Sequence, residues 1–204
     1  MANINQILKA NHGTYNALKD VNSVEAKIDD FELIQYKHDK KSDHGAVAYY
    51  SPIEKTVLIA HRGSATFKDW MVNNPKIAKE VLGKPLETMA DVQAKRFTNN
   101  VLELLDRGGN EIDLVISSGH SKGGRESSHA LIEIADNLKL NNMGLTFNSA
   151  PIKHHNDNQY NHVNLRLSGG NFYNSDVVSV LGNQLGENYK VCLLYTSPSP
   201  RDTR

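Results

Sequence analysis

The sequence predicts an α/β fold, a mostly parallel sheet flanked by helices. Three observations lead there. Strand-like apolar runs alternate with helical periodicity through the second half of the chain. The 204 residues suffice to bury one sizeable core. And a glycine-bracketed serine, Gly119-His120-Ser121-Lys122-Gly123, stands where one such run gives way to a helical pattern.

The elements follow in order. Residues 4–19 read as a helix with Ile4, Ile7, Leu8 and Leu18 at its apolar positions. Residues 21–44 are polar and charged, with a weak apolar stretch at 31–34. Two β-prone runs, 45–50 and 56–60, flank the turn residues Ser51-Pro52-Ile53-Glu54-Lys55 and predict a hairpin. Residues 88–107 read as a helix, with Met89, Val92, Phe97, Val101, Leu104 and Leu105 near one face and Gly108-Gly109-Asn110 ending it. Residues 112–118 form an apolar run that predicts a buried strand, and 125–138 predict the helix after it. Strands are predicted at 143–148 and 163–168.

Composition excludes several classes of partner. Lys+Arg and Asp+Glu both number 23, so the chain offers no electrostatic footprint for nucleic acid or an anionic membrane. Its apolar runs fall far short of the roughly 20 residues of a membrane span. The N-terminus Met1-Ala2-Asn3-Ile4-Asn5-Gln6 lacks the layout of a secretory signal. The single cysteine, Cys192, excludes an internal disulfide framework. A cytoplasmic location is the expectation, with export by another route left open.

The G-x-S-x-G pattern is weak alone, with roughly 0.07 chance matches in a chain of this length and ordinary composition. Its setting between a buried strand and a helix makes it specific. A sharp strand-to-helix turn lifts a serine oxygen clear above the sheet. Gly119 and Gly123 let the backbone cross there, while Gly124, Ser127 and Ser128 keep the helix slim. The helix N-terminus points free N–H groups at developing negative charge. Ser121 is therefore the expected nucleophile, solvent-accessible at the end of a strand.

Upstream, Ala60-His61-Arg62-Gly63-Ser64 follows a strand and runs toward Asp69-Trp70-Met71-Val72-Asn73. Strand, Arg-Gly-Ser, Asp-Trp-x-x-Asn, helix, strand and G-H-S-x-G-G in this order resemble the class 3 lipase family, which has bacterial and phage-encoded members. The resemblance covers residues 45–182. It implies an α/β-hydrolase-type sheet and a lipase- or esterase-like serine hydrolase acting on a small-molecule ester or lipid, with neither cofactor nor metal. It also implies an oxyanion hole formed by the backbone N–H groups of Ser64 and Lys122, the Ser64 hydroxyl often assisting. Asp69 reads as a helix cap and Trp70 as packing. Arg62 reads as an ion pair holding the loop. Lys122 stands where the family's lipases usually carry Leu, and His61 where they usually carry an aromatic residue. Both changes are expected to make the site more polar, which speaks against a long-chain triglyceride.

In this fold the acid and the base follow the serine in that order. Asp176 matches the family's acid position, with Asp157 as the alternative. No histidine follows Asp176. His154, His155 and His162 precede it, as a possible metal cluster or substitute base. The tail Leu193-Leu194-Tyr195-Thr196-Ser197-Pro198-Ser199-Pro200-Arg201-Asp202-Thr203-Arg204 has no core periodicity and resembles a translated sequencing adapter. The expectation is thus one domain over 1–191, cut short before its histidine and near-inactive as it stands, with 192–204 a non-native tail. The alternative is a binding or virion-associated protein that keeps the fold without catalysis.

Overall fold

The computed structural model describes residues 2–64, 87–152, 159–168 and 184–192. One eight-stranded sheet runs through them in sequential order. Strands β1 (Lys27–Ile28), β2 (Phe31–Asp39), β3 (His44–Ser51) and β4 (Thr56–His61) pair antiparallel. From β4 onward the pairing is parallel, through β5 (Leu114–His120), β6 (Asn142–Phe147), β7 (His162–Ser168) and β8 (Glu187–Cys192). The sheet is therefore mixed. Its parallel part begins where helical crossovers replace short turns.

Helix α1 (Ile4–Lys19) opens on a capping box: Asn3 caps Asn5 and Gln6, and the Gln6 side chain returns to the Asn3 N–H at 2.8 Å. Its buried positions include Ile7, Ala10, Asn11 and Thr14. Asn11 donates to the Ser118 hydroxyl of β5 at 2.7 Å. Ile4, Leu8 and Leu18, expected on the apolar face, are exposed, because a polar anchor turned the helix. Helix α2 (Met89–Arg107) is also rotated from the expected face. It buries Ala90, Asp91, Ala94, Phe97, Thr98, Val101, Leu102 and Leu105, while Met89 and Leu104 are exposed. Helix α3 (Lys122–Glu133) leaves β5 and passes into a single π-helical stretch, Ile134–Leu138.

The core lies on both faces of the sheet, as strand alternation requires. On one face Val47, Tyr49, Leu58, Ala60 and Ile116 pack with Ile7 and Ala10 of α1. On the other, Ala46, Ala48, Tyr50, Val57, Ile59 and Val115 pack with Phe97, Val101 and Leu105 of α2. No helix among the described residues is long and apolar enough to cross a membrane.

Candidate active site

Parallel pairing carries β5 two residues beyond the predicted strand, because Gly119 and His120 continue the ladder against Thr146 and Phe147 of β6. The chain then reverses at Ser121, the residue between strand and helix, with φ 55° and ψ −120°. A non-glycine residue held there stores about 1–3 kcal/mol of strain, and such positions cluster at functional sites. The surroundings fix it. Its N–H donates to the Phe147 carbonyl at 3.0 Å, and its carbonyl accepts from Gly124 and Ala150, each at 3.0 Å. No described residue hydrogen-bonds its hydroxyl.

Ser121 is buried, at 4% exposure, against the expectation of a solvent-accessible serine. Its backbone is enclosed between β6 and the segment at Ala150.

Two glycines make the turn possible. A Cβ on Gly119 would overlap the Gly123 carbonyl, and one on Gly123 would overlap the His61 carbonyl. These neighbours are backbone and cannot swing aside. Gly123→Ala is therefore expected to cost at least about 1–3 kcal/mol, read as a fall in melting temperature together with loss of whatever chemistry Ser121 supports.

The Arg62-Gly63-Ser64 loop lies against this elbow. Gly63 sits on the His120 carbonyl and the Tyr15 hydroxyl, too close for a side chain. Arg62, 2% exposed, donates to the Asp43 and Gly63 carbonyls at 3.1 Å each and pairs with the Asp43 carboxylate. That is the loop-holding ion pair expected of it. The Ser64 hydroxyl donates to Asp43 Oδ2 at 3.2 Å. Among the Ser64 groups proposed for an oxyanion, this leaves the backbone N–H.

Lys122 and His61 do not make the substrate side polar. Both side chains are buried, at 2% and 0% exposure. The Lys122 ammonium lies 2.8 Å from Glu126 Oε1, an ion pair off the hydrogen-bonding direction, and donates to the Asp43 carbonyl. Beside them His44 Nε2 meets His61 Nδ1 at 3.3 Å and lies 3.9 Å from Glu126 Oε2. Burial pushes Glu126 up to about 7, with Lys122 pulling the other way. Burial likewise pushes His44 down to about 2 and His61 to about 3, so both are neutral at pH 7. Ligand atoms of His44, His61 and Glu126 all lie within 4.8 Å of one another, a donor set that suits a transition metal. The lysine already neutralises that carboxylate, and a divalent cation there would sit against an ammonium group. The cluster is an ion network beneath the elbow.

This network sets an acid response. The histidines bind fewer protons folded than unfolded between their lowered values and about 6.5, so they make stability fall as pH drops through that window. Glu126 has the opposite sign between its ordinary range and about 7, where the folded state holds the extra proton. His162, pushed down to about 4 by burial, sides with His44 and His61. The melting temperature is expected to fall from pH 7 to pH 4, most steeply below the ordinary Glu range, where the Glu126 contribution has vanished. A flat or rising profile on acidification would contradict these assignments.

The remaining sequence-derived residues divide sharply. Asp69, Trp70, His154, His155, Asp157 and Asp176 lie outside the described residues. His162 is structural: its Nδ1 pairs with the Leu185 carbonyl at 2.7 Å and its Nε2 with Thr146 at 3.3 Å. With both ring nitrogens so engaged, it is neither base nor metal ligand. The His120 ring meets the Tyr15 hydroxyl of α1 at 3.3 Å. Sequence reasoning missed Asp43, Glu126 and the buried pair Arg125–Asp91, in which Arg125 Nη2 reaches Asp91 Oδ2 at 2.9 Å and Nη1 reaches the Pro151 carbonyl at 2.7 Å.

Comparison with solved structures matches this architecture to lipases. A triacylglycerol lipase from Penicillium expansum superposes with a TM-score of 0.62 at 18% identity, over 93% of this chain and 78% of that one. The chain has the α/β-hydrolase fold. A Rhizomucor miehei lipase–propeptide complex gives 0.60 at 15% identity, covering 91% of this chain and 66% of that one. Lipase II from Rhizopus niveus gives 0.57 at 15%, covering 82% and 73%. No protein-family model matches the chain, and no curated protein does.

Proposed function

We propose that the protein is a lipase- or esterase-like serine hydrolase that cleaves a carboxylic ester through an acyl-enzyme on Ser121. The observation that carries this reading is the left-handed turn at Ser121, between a central parallel strand and a helix, with a hydroxyl that no described residue engages. The Ser121 oxygen attacks the acyl carbon and gives up its proton to a base. The oxyanion is received by the N–H groups of Ser64 and Lys122. The alcohol leaves with a proton, and water then releases the acid from Ser121.

Asp176 is the proposed acid that orients the base. The base itself lies outside the described residues. It is sought in His154 or His155, or in a histidine after Asp176 in a longer gene product. The neighbours are lipases, which favours a fatty-acid ester. The inward course of Lys122 and His61 removes the sequence-level objection to an apolar acyl chain.

Hydrolysis of nitrophenyl esters of graded chain length tests the reading, using this chain, its His154→Ala and His155→Ala variants, and a form carrying further native C-terminal sequence. Turnover that depends on Ser121 in any of the forms supports an enzyme. Binding of ester or lipid with no turnover in any form would favour a hydrolase fold used for binding.

A further inference from the structure

We infer that Asp43 is a positioning residue that holds the two halves of the candidate oxyanion hole against each other. The inference rests on the acyl-enzyme reading for its chemical meaning, though the clamp itself is read from geometry. Asp43 occupies the turn between β2 and β3, far from Ser121 in sequence, with φ 57°. Aspartate and asparagine tolerate that left-handed conformation better than most residues do.

From this one position it serves three partners. Arg62 Nη2 donates to its carbonyl at 3.1 Å and to Oδ1. The Ser64 hydroxyl donates to Oδ2 at 3.2 Å. The Lys122 ammonium donates to its carbonyl and lies 3.4 Å from Oδ2. Arg62 and Ser64 bracket Gly63 in the loop after β4, and Lys122 follows the nucleophile. Asp43 is thus the described residue that bonds both segments from which the two oxyanion N–H groups come.

The chemistry suits a clamp. Two cations converge on one carboxylate that is half-exposed, while the cations themselves are 2% exposed. Burial raises the Asp43 carboxyl, but Lys122 and Arg62 outweigh it and hold it below the usual range, so it stays ionised at neutral pH. Among the described residues, neither backbone N–H is engaged by a backbone partner. Preorganised donors are effective only when neither has to move as charge develops. Loosening the clamp should therefore tax the transition state more than substrate binding.

Asp43→Asn tests this, since asparagine keeps the size, the left-handed turn and the backbone carbonyl while removing the charge. Ser64→Ala, which deletes a single bond at a partly exposed site, is the companion should Asp43→Asn melt early. Two readouts are taken: kcat and KM on a short-chain nitrophenyl ester with the most active form of the chain, and amide exchange in peptides spanning 62–64 and 121–125. Asp43→Asn is expected to lower kcat by about 10–100-fold, short of the 10²–10³ for losing a donor outright. KM should stay within about twofold, the signature of an interaction made in the transition state. Exchange should quicken in both segments, and Ser64→Ala should quicken it in 62–64 alone.

Unchanged exchange in Asp43→Asn overturns the clamp whatever the activity does. Quickened exchange with kcat unaltered overturns its oxyanion role. If no form of the chain turns over ester, the hydrolase reading fails, and quickened exchange in both segments still establishes the clamp.

Discussion

Ser121→Ala is expected to bring ester hydrolysis down to background while leaving the fold intact. In a form that carries its base, the loss should be on the order of 10³-fold or more, because a triad acts as a unit and its nucleophile has no substitute. The fold should survive because no described residue bonds the hydroxyl, and the turn is held by backbone contacts at Phe147, Gly124 and Ala150. Ser121→Gly separates strain from chemistry. It should be equally inactive, yet gain up to about 1 kcal/mol, since glycine adopts positive φ without steric cost. Stability bought by removing the nucleophile is what a strained functional residue predicts. Melting curves and initial rates on the two variants decide it, and an unchanged rate in either would move the chemistry elsewhere.

Asp91→Ala is expected to be the most destabilising single truncation among the described buried ion pairs. Asp91 and Arg125 are each 1% exposed in their side chains. Arg125 reaches both Asp91 oxygens, through Nε at 3.1–3.2 Å and Nη2 at 2.9 Å. Burial raises the Asp91 carboxyl, but His129 and Arg125 overcome that and keep it ionised. The same carboxylate closes the capping box of α2, accepting the Thr88 N–H at 2.8 Å. Removing it strands a buried guanidinium at about 3–5 kcal/mol and forfeits a cap worth about 1 kcal/mol. At about 2–4 °C per kcal/mol for a chain of this size, the melting temperature should fall by about 8–24 °C. Arg125 also holds the Pro151 carbonyl beside the Ala150 N–H that binds Ser121, so the elbow should loosen with it. The double change Asp91→Leu with Arg125→Met should recover much of the loss, since an apolar pair leaves no charge behind. A drop no larger than that of an ordinary surface change would show that the pair is hydrated.

The sequence exposed some parts of this design and concealed others for physical reasons. Helix α1, the β3–β4 hairpin and helix α2 were legible because periodicity and turn residues are local. The G-x-S-x-G turn was legible because close backbone approach admits little but glycine. Strand β2 was missed because only Phe31 along it is fully buried, so it lacks a continuous apolar face. Strand β8, the last in the sheet, carries Glu187 and Lys190 and reads as a polar segment, as edges often do. Helix α3 starts at Lys122 rather than residue 125, since its first turn is fixed by bonds from Gly124 and Arg125 to the Ser121 carbonyl.

The buried charges were the least visible. Lys122 read as a polar residue at the site and Glu126 stood out in no pattern, yet both lie beneath the elbow. Asp43 read as part of the polar, charged stretch 21–44. Its role emerges only when the β2–β3 turn is folded over the loop after β4.

The most direct test of Ser121 as the nucleophile is to find the acyl group. The protein is incubated with an activated butyryl ester, quenched in acid, digested, and its peptides weighed. The account predicts one butyryl group, on the peptide carrying Ser121, and none there in Ser121→Ala. An acyl group on another side chain in a form that turns over, with equal yield from Ser121→Ala, would contradict it.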